Sequence, residues 1–145
     1  MKAHCISFGG IKVDVPTGWA DFTSQVEGVD PPFTLADLTV DIGALQFSIA
    51  IFTGGPVPNP TPEELLAMAR ELGERHFFSD PHDLVTESNG LRLGAVSYRM
   101  ASGFVRIWYV SDGQNFAKIT YNCNWEDRFK QQDQCEAIVR SVRFV

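Results

Sequence analysis

Histidine and carboxylate crowd together once in this sequence, in HFFSDPHD, where His76, Asp80, His82 and Asp83 offer the imidazole and oxygen donors that a divalent metal takes. Their spacing matches no metal signature, and simpler roles account for them. Asp80-Pro81 ends a helix, and His76 suits the last helical turn, where the macrodipole is negative. No metal and no cofactor is therefore expected. A cysteine nucleophile needs a neighbouring base and a lowered thiol pKa. Cys123 alternates with Ala117, Ile119 and Tyr121 and so points inward, while Cys135 falls on an apolar helical stripe. Both read as inert core thiols. Together with Cys5 they make three cysteines, an odd number that excludes a complete disulfide framework, leaves room for one bridge, and fits reduced thiols best, each with a packing role. No Gly-x-Ser-x-Gly elbow, phosphate-binding loop or dinucleotide fingerprint is present. No catalytic residue emerges, and the chain reads as a non-enzyme.

Recognition chemistry is better represented. Phe104, Arg106 and Trp108 share one strand face, and Val105, Ile107 and Tyr109 share the other. Arginine and tryptophan concentrate in binding hot spots, so Arg106 and Trp108 form a candidate contact pair if a helix covers their face only in part. If helices cover both faces, the pair is core instead. The net charge of −6 arises entirely in residues 1–66, where eight carboxylates face only Lys2 and Lys12. That asymmetry disfavours nucleic acid and favours a cationic protein partner. Asp21, Glu27 and Asp30 lie on a polar stretch before Pro31-Pro32, with Asp37 and Asp41 as neighbours, and these five are the candidate partner-binding acids. Of the acids, the three loop residues are the least expected to have structural duties.

The elements that position these residues begin with a hairpin. Ile6 and Phe8 precede Gly9-Gly10, and Ile11, Val13 and Val15 follow, so a two-residue turn sets Phe8 opposite Ile11 and Ile6 opposite Val13. Pro16 ends the ladder, and Gly18 lets the chain turn so that Trp19 folds back over the hairpin edge. Residues 21–34 read as a mobile loop or irregular edge. Strands follow at Leu35–Val40 and Leu45–Thr53, the second with Leu45, Phe47, Ile49 and Ile51 on one face. Thr61, Pro62 and Glu64 make a capping box for a helix to about His76, with Leu65, Met68, Ala69 and Leu72 as its buried stripe. Then come Leu84–Glu87, an Asn89-Gly90 turn and an antiparallel meander of strands near Leu93–Met100, Phe104–Val110 and Asn115–Cys123. A final helix presents Cys135, Ile138, Val139 and Val142, and Phe144 returns to the sheet or packs beneath it. With 145 residues, 44% hydrophobic, this is one α+β domain over residues 1–145, with a largely antiparallel sheet, an early β-hairpin, a central helix and a C-terminal helix. No apolar run is long enough for a signal peptide or a bilayer span, so a cytoplasmic protein without a membrane partner is expected.

Three features together, a strand ending VPTGW, one capped central helix, and a KITYNC strand followed by a helix ending IVRSVRF, resemble the PsbP-like superfamily. That superfamily includes the Mog-type Ran-binding proteins and the Eag chaperones of type VI secretion effectors. The resemblance implies a single-domain α-β-α sandwich used for binding rather than chemistry, a shape that also occurs in bacterial immunity proteins. The expected function is a cytoplasmic immunity protein that occludes a cationic surface of a co-encoded toxin. An Eag-type chaperone would show a wide aliphatic and aromatic groove instead. A small-ligand carrier or enzyme would show a deep pocket with converging polar groups.

Overall fold

A computed structural model describes residues 3–76 and 79–145. The opening hairpin pairs β1 (Ala3–Phe8) with β2 (Ile11–Pro16) in the expected register, Phe8 opposite Ile11 and Ile6 opposite Val13. Gly9 and Gly10 both adopt positive φ, as a two-residue hairpin turn requires. At Pro16 the chain leaves this small sheet. Thr17-Gly18 turns it, with Gly18 at φ 101°, into β3 (Trp19–Asp21), the edge strand of a larger sheet. Trp19, 1% exposed, packs in one core cluster with Ile11, Val13 and Val15 from the small sheet and Leu35 and Phe47 from the large one. The Pro-Thr-Gly-Trp corner thus moves the chain between sheets, and the indole packs between them.

After β4 (Phe33–Asp37) and β5 (Ala44–Ala50), the helix α1 (Pro62–His76) begins with the full capping box. Glu64 N donates to Thr61 Oγ1 at 3.1 Å, and Thr61 N to Glu64 Oε1 at 3.0 Å. The meander follows as β6 (His82–Asn89), β7 (Leu91–Met100), β8 (Gly103–Ser111) and β9 (Phe116–Asn124). The last elements are α2 (Gln132–Arg140) and β10 (Arg143–Phe144), whose Phe144 pairs with Ile11. The large sheet has seven strands in the order β3-β4-β5-β9-β8-β7-β6, all antiparallel, and the small one runs β1-β2-β10.

Three layers result. The helix α1 lies on the outer face of β6–β8, over Val96, Tyr98, Val105 and Ile107. It lies flush because two glycines leave room: a Cβ on Gly94 would stand 2.2 Å from Leu66 N, and one on Gly73 would stand 2.0 Å from Tyr98 Cε2. The small sheet and α2 cover the other face, burying Trp19, Leu35, Leu45, Phe47, Trp108, Ile119, Ile138 and Val139. This is an α+β, α-β-α arrangement with a largely antiparallel sheet. No helix among the described residues is long and apolar enough to cross a membrane.

Several expectations need correction. Of the two readings of residues 21–34, the irregular edge fits rather than a loop throughout: Asp21 ends the edge strand β3, Thr23–Gln25 form a 3-10 turn, and Phe33 opens β4. The strand expected to reach Val40 stops at Asp37, whose Oδ1 accepts from Thr39 N at 3.0 Å and Thr39 Oγ1 at 2.6 Å, a local turn that replaces the ladder. Ile51 is exposed because β5 ends at Ala50, opposite the first residue of its partner β9. In α1 the buried line runs through Leu65, Ala69 and Gly73, and Met68, 37% exposed, hangs over the flank instead. His82 and Asp83 belong to β6 rather than to a breaker, with an irregularity between His82 and Val85 and Asp83 at φ 54°. Val142 is buried but lies past the end of α2.

Candidate functional site

The inner face of the meander carries Ser97 on β7, Phe104, Arg106 and Trp108 on β8, and Tyr121 on β9, and the registers Ser97–Arg106 and Arg106–Tyr121 hold them side by side. Over this ladder, α2 contributes Gln132, Cys135 and Glu136, and the turn before it contributes Trp125, Arg128 and Phe129. Between them lies a cavity of about 480 Å³, lined also by His82 and Asp83 of β6. Arg106 and Trp108 were expected either on a partly covered face or in the core. Both are buried, with Arg106 4% exposed, and both line this cavity.

Arg106 is held on several sides. Its Nη1 donates to Ser97 Oγ at 2.8 Å and to the Asp83 carbonyl at 2.9 Å, and lies 3.4 Å from Asp83 Oδ2. Its Nε reaches Glu136 Oε2 at 3.4 Å. Glu136 also accepts from Trp108 Nε1 at 3.0 Å and pairs with Arg140 Nη1 at 3.3 Å. A buried guanidinium is tolerated only when paired and hydrogen-bonded, and this network supplies both. Arg140 continues it to β6 through Glu87 at 2.6 and 2.9 Å. That hydrogen bond holds the Glu87 carboxyl below its usual range, against the opposing effect of desolvation.

The opening is aromatic and cationic. Trp125 carries Arg128 at 3.9 Å and Arg99 at 4.6 Å from its ring centre, and Arg128 also lies 4.5 Å from the ring of Phe129. Phe104, His82 and Trp125 meet with centroids 5.9 to 6.3 Å apart. Deeper in, the Tyr121 hydroxyl donates to Gln131 Oε1 at 2.6 Å, and burial pushes its pKa well up. Burial likewise raises the Cys135 and Cys123 thiols, which keeps both in the un-nucleophilic protonated form. Cys5 departs from the expected packing role: it is exposed, with Arg143 Nη2 3.5 Å from its sulfur.

The histidine and acid cluster does not assemble. Phe77 and Phe78 lie outside the described residues, and no group of three or more His, Cys, Asp or Glu side chains suited to a metal occurs among the described ones.

The five acids lie at the opposite edge of the large sheet, along the β3–β4 hairpin. Glu27 and Asp30 are exposed on the connection between the strands and form no ion pair with a described residue. Asp30 adopts φ 53°. Asp21, by contrast, does have a structural duty, since its Oδ1 accepts from Thr23 N at 2.9 Å and Thr23 Oγ1 at 2.5 Å to hold the turn. Asp37 anchors the turn at the other end of the hairpin, and Asp41 is exposed beyond it. Apolar side chains intersperse the acids: Val29 is 95% exposed, and Leu38, Val40 and Phe33 are exposed too. Sequence reasoning missed these apolar neighbours because each was counted toward a strand or a loop.

No family model matches the chain, and no curated protein matches it in sequence. Solved structures do. The cyanobacterial PsbP (CyanoP) of Synechocystis sp. PCC 6803 superposes with a TM-score of 0.66 at 11% identity, over 99% of this chain and 92% of that one. The Saccharomyces cerevisiae Ran-binding protein Mog1p gives 0.65 at 12% identity, over 100% and 96%. A mutant of the protein Mog1 gives 0.63 at 11% identity, over 100% and 97%. At such identities the likeness speaks for architecture alone, and it spans the whole chain: this protein has the PsbP/Mog1-type fold.

Proposed function

We propose that this protein is a non-catalytic protein-binding domain whose β3–β4 hairpin docks a cationic partner, most specifically as a cytoplasmic immunity protein that occludes the basic surface of a co-encoded bacterial toxin. The observation that carries the reading is the composition of that hairpin, where exposed Glu27 and Asp30 flank exposed Val29 on the connection between the strands, and exposed Asp41 follows exposed Leu38 and Val40 past the end of β4. Exposed apolar side chains interspersed with charges of one sign suit a recognition surface for an oppositely charged protein. A fold shared with a Ran-binding protein is compatible with protein recognition. Asp21 and Asp37 shape the ends of the hairpin and add their charge to it.

The blocker is favoured over the chaperone by the uncovered outer face of the large sheet. There Gln46 pairs with Thr120, Ser48 with Lys118 and Ala44 with Asn122, and beside them Met68, Tyr109 and Phe116 line an open groove of about 380 Å³, smaller than apolar helices need. Affinity capture from the native host, with the wild-type chain and a charge-altered hairpin variant as parallel baits, tests the reading. A basic protein retained by the wild type and lost by the variant is the expected result. Equal retention by both baits, or capture of an acidic protein alone, contradicts it.

A further inference from the structure

The cavity beneath α2 is separate from the β3–β4 hairpin. Its volume of about 480 Å³ is that of a small-molecule pocket. Phe104, Trp108, Tyr121, Trp125 and Phe129 make its walls largely aromatic. Four ionic side chains line it, and three of them are spent on one another: Arg106 pairs with both Asp83 and Glu136. Arg128 is different. Its Nη1 donates to the Trp125 carbonyl at 2.7 Å, while its remaining donors have no described partner and it forms no ion pair among the described residues. Contact with the rings of Trp125 and Phe129 restrains the guanidinium at the opening, which lowers the side-chain freedom left to lose on binding. The N-terminus of α2 adjoins it, although Asp133 in the first turn offsets part of the positive end of that helix. Gln132, the first residue of α2, lines the same cavity, and no side chain caps that helix end.

We propose that this cavity binds a small amphipathic monocarboxylate, with its apolar or aromatic body among Phe104, Trp108 and Tyr121 and its acid group on the unspent donors of Arg128. A planar carboxylate matches the guanidinium fork, and a single negative charge suits one unpaired arginine beside walls that offer little else to solvate an anion. The aromatic faces do not select a cation, because Arg99 and Arg128 already lie over Trp125 and Arg106 over Trp108.

Isothermal titration of the purified protein with 3-phenylpropionate, indole-3-acetate and octanoate tests this, alongside 3-phenylpropylamine and 3-phenylpropionamide, which keep the phenylpropyl body and change the head group. At least one acid should bind saturably at one site, and the amine and amide should bind roughly tenfold more weakly than 3-phenylpropionate or not at all. Arg128→Gln should weaken the acid by roughly tenfold with an unchanged melting curve, and Arg128→Lys, which keeps charge without the fork, should fall between. Failure of all three acids to saturate, equal or tighter binding of the amine, or full acid affinity in a folded Arg128→Gln variant would each overturn the assignment.

Discussion

Trp19 bridges the two sheets, so at the residue scale its truncation leaves a cavity shared by both. Trp19→Ala is expected to cost about 3–5 kcal/mol of unfolding free energy, measured by urea denaturation. Its Nε1 is buried without a hydrogen-bond partner among the described residues, so Trp19→Phe should cost much less, because it keeps an aromatic ring and removes an unmatched donor. Glu136 has the opposite character, since it is the shared acceptor for Arg106, Trp108 and Arg140. Glu136→Ala leaves the buried Arg106 guanidinium with only the half-exposed Asp83 carboxylate and should cost about 1–3 kcal/mol, while adding Arg106→Met to that variant should restore part of the loss. Equal stability of the single and double variants would mean that Arg106 is solvated in some other way. The inward alternation of Phe104, Arg106 and Trp108 was legible in the sequence. The roof was not, because nothing local to β8 announces that Glu136, 30 residues away from Arg106, returns to meet it.

At the scale of elements, α1 rests on β7 through two glycines, which makes their lack of a side chain a packing requirement. Gly94→Ala places a methyl against the backbone at Leu66 and should destabilise by about 1–3 kcal/mol or more, seen as a lowered melting temperature. The helix α2 is tied to β6 by the Arg140–Glu87 pair. The folded Glu87 pKa lies below its ordinary 4.5, so its contribution is fully present above that pH and is lost as pH falls through the lowered folded value. Both partners are more than a third exposed, so the effect is modest. Arg140→Ala should narrow the stability gap between neutral pH and about pH 3, by removing stabilisation at the neutral end only. An unchanged gap would show that the pair does not hold α2 in solution. The elements that were legible are those with strong local chemistry: the Gly-Gly hairpin, the Thr61–Glu64 box and the three-strand meander all stand as read. The edge near residues 21–40 was not legible. There side-chain turns from Asp21 and Asp37 end the strands, and short polar strands carry little periodicity.

For the whole molecule, the proposed surface for a cationic protein lies at one edge of the large sheet and the cavity beneath α2 lies toward the other. Charge at the hairpin must be altered without damage to its turns. Asp21→Asn keeps the oxygen that holds Thr23, Asp30→Asn keeps a residue that tolerates its positive φ, and Glu27→Lys reverses an exposed charge with no described partner. The combined variant should retain the wild-type circular dichroism spectrum and melting temperature. The most direct test of the account is the association rate of the captured partner with the wild-type protein and with this variant, measured by surface plasmon resonance at low and high salt. The prediction is a wild-type rate that falls steeply with salt and a variant rate that is slower at low salt, with a clearly flatter salt dependence. Identical rates and identical salt slopes for a folded variant would contradict it and leave the acidic hairpin as a feature of solubility alone.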